Sequence, residues 1–568
     1  MDIDQTHTVK TDKVLAIISL SIVFISVIAL SVFSEESIDF AAKLLYWSTT
    51  IFSTPVLLFT IFSFVFVIGL AFSKYGHIKL GEGKPDYKTS SWIFMFMMAG
   101  LGSSLLYWGF LDWAYYYQTP GLNIKPNSTE SLKYSVPYTM FHYSFSAWAI
   151  YAIASISVCY SFHVRKNKGL SLASMIESIT GFKATGIVGR LVDLMFLLCM
   201  FGALTISLVL TALTFTNILS SLTGIPDTFM TNAIFVLGAS VLFAISSYIG
   251  MDKGMQRLSS MVCYALMAFV AYMFIFGPTK FILDNTISSV GHMFTNFVSM
   301  SLFTDPLGDG KFTREWTVFY WLWWISYAPG VALFVTRVSK GRTIKEVILA
   351  MVLGGAVGML ILFGIMESFS VYQFINGFVN VPEVLSSQGG EFAIVQLLGM
   401  LPGGTMMMWF LLAIMVIFLA AHMDAVGYAV SVTCSKDLME GQDPAPKTRL
   451  FWCVMLTLLP LAMIFSKAPL DTMKTATVVT AIPFIVIILI QTFGFVRWLR
   501  EDYSALPSYL IEKGEMSESL KLIQKERLIQ ESEGIVIHKP SDLIEKGEMN
   551  DSSSFIQDNQ KVIKALDL

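Results

Sequence analysis

The sequence predicts an all-α polytopic membrane protein of about twelve spans, on three observations. Of 568 residues, 55% are hydrophobic and 14% charged, where soluble domains carry roughly 25% charged residues; mean hydropathy is +0.64. Apolar runs of bilayer-crossing length, about twenty residues, recur about twelve times. The loops between them alternate between basic and acidic or uncharged. A net charge of −3 gives no reason to invoke nucleic acid. Five cysteines, Cys159, Cys199, Cys263, Cys434 and Cys453, lie in or beside apolar runs. They lack metal-like pairing and read as small buried hydrophobes.

The runs begin near Val14, Leu44, Ser91, Tyr134, Leu191, Thr231, Leu258, Glu315, Val347, Met400, Leu450 and Thr475. The first, about residues 14–33, is long enough to span and carries no cleavage pattern. Lys74, Lys79, Lys84 and Lys88 follow the second run; Arg165, Lys166 and Lys168 the fourth; Lys253 and Arg257 the sixth; Arg337, Lys340, Arg342 and Lys345 the eighth; Lys436, Lys447 and Arg449 the tenth. Glu35, Glu36 and Asp39 follow the first, and residues 372–399 hold no Lys or Arg. The basic loops therefore mark the cytoplasmic side, and both termini are expected there.

This divides the chain into a cytoplasmic N-terminal tail (1–12), a twelve-span domain (13–499) and a cytoplasmic C-terminal tail (500–568). Residues 280–303 are amphipathic and too polar to span, so a helix along the outer membrane surface is expected. It separates two groups of five spans, about 91–279 and 315–499. The first group opens on a run broken by Gly100, Gly102, Ser103 and Ser104. The second opens on one expected to break at Ala328-Pro329-Gly330. Paired interruptions at corresponding positions point to a binding site at the membrane midplane; glycine also simply lets helices pack closely. In the C-terminal tail, residues 510–516 and 543–549 both read LIEKGEM, in a partly helical segment with no chemistry of its own.

Trp316, Tyr320, Trp323, Trp324 and Tyr327 recur at helical spacing and share one face. Such a wide, electron-rich surface attracts a poorly hydrated quaternary ammonium. Trp108, Trp113 and Tyr115-Tyr116-Tyr117 supply a second aromatic set. Membrane aromatics also form interfacial belts and packing, the reading that suits Trp321 and Phe319. Rival classes lack their residues. The seven histidines contain no H-E-x-x-H pattern and phosphate-binding motifs are missing. A sensor without transport has no need of paired broken helices.

The stretch W-T-V-F-Y-W-L-W-W from Trp316, Tyr327, the Ala328-Pro329-Gly330 triplet and the R-V-S-K-G-R-T-I-K-E run from Arg337 resemble the betaine/choline/carnitine transporter family. So do Ser90-Ser91-Trp92-Ile93-Phe94, Tyr107-Trp108-Gly109, Pro126-Asn127-Ser128-Thr129, Phe141-His142-Tyr143 and Thr304-Asp305-Pro306. The resemblance covers about residues 13–500. It implies two inverted five-helix repeats with a LeuT-like core, a homotrimer in a bacterial inner membrane, and a small quaternary ammonium substrate.

It further implies a cage of Trp323, Trp324, Tyr327 and Tyr115. Trp316 would lie on the outer or inner path, Tyr143 would stand where relatives often have tryptophan, and Trp108 and Trp113 would flank the site. The break at Gly102-Ser103-Ser104 carries no acid, which favours a zwitterion such as glycine betaine or carnitine over choline. Its carboxylate would meet free N–H groups and hydroxyls there.

No cofactor is expected beyond a coupling ion, with sodium favoured by family habit. The substitutions of the sodium-independent branch are absent: Val262 and Val331 stand at those places. Family sodium sites use carbonyls near Ala99 and Leu101 with a hydroxyl pair that here becomes Ala421-His422, just before Asp424. Thr205 or Ser207 could serve a second site. His422 has three open readings: an interior hydrogen-bonded histidine, an ion-site member, or a proton carrier.

Overall fold

The computed structural model describes residues 10–503, apart from 101, 168–170, 250 and 437–443. Nearly all of both predicted tails, the LIEKGEM repeats, Lys168 and Leu101 lie outside the described residues.

The chain is helical apart from two-residue strands, β1 (Lys10–Thr11) and β2 (Ser435–Lys436), which pair antiparallel. The helices are α1 (Lys13–Val32), α2 (Ser34–Phe72), α3 (Thr89–Gly100), α4 (Leu105–Gln118), α5 (Thr129–Tyr143), α6 (Phe145–His163), α7 (Leu172–Thr180), α8 (Ile187–Thr223), α9 (Phe229–Ile249), α10 (Met251–Phe276), α11 (Thr279–Thr295), α12 (Phe297–Ser301), α13 (Phe319–Val338), α14 (Ile344–Leu349), α15 (Ala356–Ile375), α16 (Val381–Ser387), α17 (Gly390–Gly399), α18 (Gly404–Thr433), α19 (Pro446–Leu456), α20 (Leu458–Phe465) and α21 (Leu470–Tyr503).

Among the described residues, 10 helical segments are long and apolar enough to cross a membrane, against the twelve runs read from the sequence. The third run fails that length test because it is two short helices, α3 and α4, meeting at Gly102–Ser104. The sixth is α9, 21 residues long. Ile17, Ile25, Phe40, Trp47, Val65, Ile275 and Phe493 point outward. Exposed apolar side chains spread over long helices are the surface a bilayer covers. The segment expected to lie on the membrane surface forms α11 and the short α12, with α11 packed on α15 and α5.

The eighth run departs from expectation. A π-helical turn, Thr313–Val318, leads directly into α13, which continues through Pro329 to Val338. Proline removes one N–H and leaves one carbonyl, that of Ile325, without its usual partner. In a helix buried on all sides that local loss is absorbed without a break. Gly330 serves packing: a Cβ there would come within 2.9 Å of Met200 Sδ on α8.

Helix α13 is the hub, packing against α6, α21, α8, α3 and α18. The fourth run bends at Ser144 (φ −103°, ψ −133°), which separates α5 from α6. Ser128 caps α5 reciprocally with Ser131, so the Asn127-Ser128-Thr129 triplet is a helix start. The Arg337–Thr343 stretch straps two loops together. Leu80 N–H donates to Arg342 O and Gly341 N–H to Leu80 O, both at 2.7 Å, while Trp92 Nε1 donates to Ser339 Oγ. Gly341 has φ +78°, and a Cβ would press on the Lys84–Pro85 backbone at 2.9 Å, so only glycine fits.

Candidate functional site: an aromatic cavity at the broken helix

A small cavity opens where α13 faces the break between α3 and α4. Gly102, Leu105, Tyr143, Tyr151, Trp323, Trp324 and Tyr327 line it. From α13, residues 323, 324 and 327 are one, three and four apart, which puts their rings on one face. Tyr143 ends α5 and Tyr151 stands two turns into α6, so the bend at Ser144 lets both reach Trp324. Ring centroids of Tyr151 and Tyr143 lie 4.8 and 5.9 Å from that of Trp324. Tyr143 is backed by Phe363 at 4.2 Å. These packing partners hold the rings without filling the space between them.

Behind Gly102, at the edge of the cavity, lies a polar cluster. Tyr327 donates its hydroxyl to Ala203 O at 2.7 Å and lies 3.3 Å from Ser207 Oγ. Ser104 Oγ bonds Ser207 Oγ at 3.3 Å, and Ser103 Oγ pairs with Thr211 Oγ1 at 2.7 Å. The Ser103 N–H donates to His422 Nδ1 at 3.4 Å. This makes Nδ1 the acceptor and puts the ring proton of a neutral imidazole on Nε2, which is buried without a hydrogen-bond partner. A Cβ at Gly102 would collide with Ser207 Oγ. The broken helix thus lies directly against α8 because that position has no side chain.

The residues singled out from sequence separate into three places. Tyr143, Trp323, Trp324 and Tyr327 line the cavity. Trp108, Tyr115 and Trp316 form an adjoining aromatic stack. Trp108 meets Trp323 at 6.3 Å, Trp316 at 6.4 Å and Tyr115 at 6.0 Å between centroids, and Tyr115 meets Trp316 at 4.9 Å. Trp113, five residues from Trp108, turns to another face of α4. There its Nε1 donates to Ser370 Oγ at 2.8 Å and its ring lies 5.4 Å from Phe374.

Among the ion candidates, Ser207 and His422 meet at the break. Thr205 bonds only the Phe201 carbonyl of its own helix, at 2.7 Å. Asp424 is buried two residues beyond His422, about 200° around α18. Ala99 lies in the last turn of α3.

Sequence reasoning missed Tyr151, Leu105 and the cation in the adjoining stack. Lys474 of α21 is buried there, its Nζ 3.8 Å from the Trp316 centroid and 4.8 Å from that of Phe319, donating to Glu315 O at 3.1 Å. Asp112 accepts from the Tyr320 hydroxyl. Trp148 and Tyr151, three apart on the fourth run, were a legible aromatic pair. Lys474 at the head of an apolar run read only as a flank.

The profile of a family described as BCCT, betaine/carnitine/choline family transporter, matches residues 14–504. A carnitine transporter of Acinetobacter baumannii is 71% identical over 514 residues, covering 90% of this chain and 94% of that protein. An Escherichia coli protein described as the uncharacterized transporter YeaV is 57% identical over 446 residues, covering 78% and 93%. The structure of a sodium-coupled sialic acid symporter in a substrate-bound, outward-open state is 14% identical, covers 82% of this chain and 83% of its own, and has a TM-score of 0.38. That likeness is too slight to carry an argument. The family profile and a relative of such identity settle the class: this chain belongs to the betaine/carnitine/choline transporter family, and is a multi-pass membrane transporter rather than an enzyme.

Proposed function

We propose that the protein imports a trimethylammonium zwitterion of the carnitine or glycine betaine type by alternating access, driven by an external cation. The cavity between Trp323, Trp324, Tyr327, Tyr143 and Tyr151 carries this reading. A trimethylammonium group spreads its charge over methyls that donate no ordinary hydrogen bonds. Ring faces replace its weak hydration at about 0.5–2 kcal/mol per good contact. Tyr115 and Trp316, adjoining the cage, guard the approach to it.

The rest of the substrate faces Gly102–Ser104. No acidic side chain lines the cavity among the described residues, which favours a zwitterion over the bare cation choline. N–H groups freed at the helix break and the nearby hydroxyls suit a carboxylate. The 71% identity to a protein described as a carnitine transporter puts carnitine first.

Sodium is the expected coupling ion by family habit, with oxygens of Ser103, Ser104 and Ser207 near the break. At the neighbouring position Ala421 has no oxygen to offer, so a weak sodium site follows. The molecule works as a homotrimer in the inner membrane with both termini cytoplasmic. Competition uptake with carnitine, glycine betaine, choline and sulfonium analogues, with and without sodium, tests the reading. Carnitine or betaine should displace labelled substrate at lower concentration than choline. Preference for choline would sink the zwitterion assignment.

A further inference from the structure

Two carboxyl groups, Asp112 on α4 and Glu367 on α15, are fully buried beside the cavity, and the transport reading gives neither a role. Glu367 Oε1 accepts the backbone N–H of Trp113 at 3.3 Å, the residue that follows Asp112 on α4. Glu367 Oε2 is buried with no close donor among the described residues, and the Thr139 hydroxyl of α5 faces the same carboxyl. Asp112 has a single donor for both oxygens, the Tyr320 hydroxyl, at 2.8 Å from Oδ1 and 2.7 Å from Oδ2. That hydroxyl also receives the Tyr143 hydroxyl at 3.4 Å, and Tyr143 lines the cavity. A polar path therefore runs from the cavity wall through Tyr143 and Tyr320 to Asp112.

The titratable and charged groups around the pair come from four helices. Helix α13 offers Tyr320, α5 offers His142 and Tyr143, and α4 itself offers Tyr116. Helix α21 offers Lys474, which acts on Asp112 through space. The Lys474 ammonium is engaged by Glu315 O and two ring faces, and forms no contact pair with either acid. Two carboxylates at this depth would each forfeit hydration and would repel one another. One added proton relieves both costs and turns a carboxyl oxygen into a donor. Ionisable side chains inside membranes that lie along such paths serve as proton relays.

We propose that Asp112 and Glu367 together bind one proton, taken up when substrate enters the cavity, with Tyr143 and Tyr320 transmitting occupancy to the acids. The proposal rests on the cavity being the substrate site. Substrate pressing on Tyr143 changes the donation that Tyr320 can give Asp112, and with it the hold of the pair on its proton. The proton comes from outside water, adds to a carboxylate oxygen, and leaves to inside water after substrate release; no covalent bond or electron transfer is involved. His142 stacks on Tyr320 at 4.8 Å and is bonded on both nitrogens, to Tyr116 and Thr317, which holds the relay tyrosine in place.

The test is calorimetric binding of carnitine, with glycine betaine as alternate probe, to the purified full-length protein in two buffers of different ionisation enthalpy. Their difference counts protons exchanged on binding. Wild type should take up protons, and its affinity should fall by about tenfold per pH unit on the alkaline side. Glu367→Gln and Asp112→Asn should abolish the uptake and flatten the pH profile. Should those variants fail to fold, Tyr320→Phe keeps both acids and cuts the path, and its substrate-linked uptake should fall. No net proton exchange in a wild type that binds substrate overturns the proposal. So does undiminished uptake in the acid variants or in Tyr320→Phe. Absence of any binding by wild type would fall on the transport reading instead, and take this proposal with it.

Discussion

The α3–α4 pair and α13 face each other across the cavity, yet they treat the backbone in opposite ways. At Gly102–Ser104 the helix stops, Gly102 presses against Ser207, and hydroxyls and the Ser103 N–H collect near His422. Helix α13 runs on through Pro329 and presents rings instead. The cavity therefore abuts a polar cluster where one helix ends, and is walled by rings where the other helix does not. A substrate with a greasy cationic end and an anionic end has a place for each. That asymmetry explains why two interruptions were not needed to build the site.

The sharpest way to break this comparison is to strip the aromatic wall. Trp323→Ala or Trp324→Ala should weaken substrate binding by about ten- to a hundredfold, while phenylalanine retains part of the affinity through its ring face. Trp321→Ala, whose ring packs on Phe141 at 5.3 Å, should cost stability and leave affinity nearly intact. Equal affinity loss at all three positions in binding assays would point to a folding defect.

Crowding the polar cluster comes next. Gly102→Ala places a methyl on Ser207 Oγ and should cut transport about tenfold or more through a clash of this kind. Adding Ser207→Gly makes room and should restore a measurable part of the rate. No recovery in the double variant would show that the break matters for something other than its fit against α8.

Smaller effects are expected at the ion position. Ala421→Thr should strengthen sodium dependence of uptake by a few-fold, and His422→Gln should keep it, since glutamine preserves hydrogen bonding but carries no proton at neutral pH. Loss of pH-driven uptake in His422→Gln in sodium-free medium would instead make His422 the proton carrier. The least effect belongs to the tail: deleting residues 518–568 removes no described helix and no cavity residue, so uptake in intact cells should persist. Complete loss in a normally inserted protein would make the tail part of the machine.

The aromatic wall was legible because helical spacing is rigid: Trp323, Trp324 and Tyr327 fall on one face whatever surrounds α13. Tyr143 was reached through resemblance, and Tyr151 was not reached at all, because its aim depends on the bend at Ser144. Trp113 reads as part of the same aromatic set as Trp108, yet five residues rotate it toward α15. The expected break at Pro329 misread what a proline does inside a fully packed helix, where one lost N–H leaves the remaining ladder standing. Lys474 and Glu367 were invisible for a different reason. Each is a lone charge in an apolar run, and only tertiary packing shows what it faces.

The account stands most directly on where the substrate lies. A structure solved with carnitine bound should show its trimethylammonium group between Trp323, Trp324 and Tyr143, with the carboxylate turned toward Gly102–Ser104. Substrate bound in the reverse orientation, or seated only against Trp316 and Tyr115, would contradict the division of the site into an aromatic wall and a polar cluster.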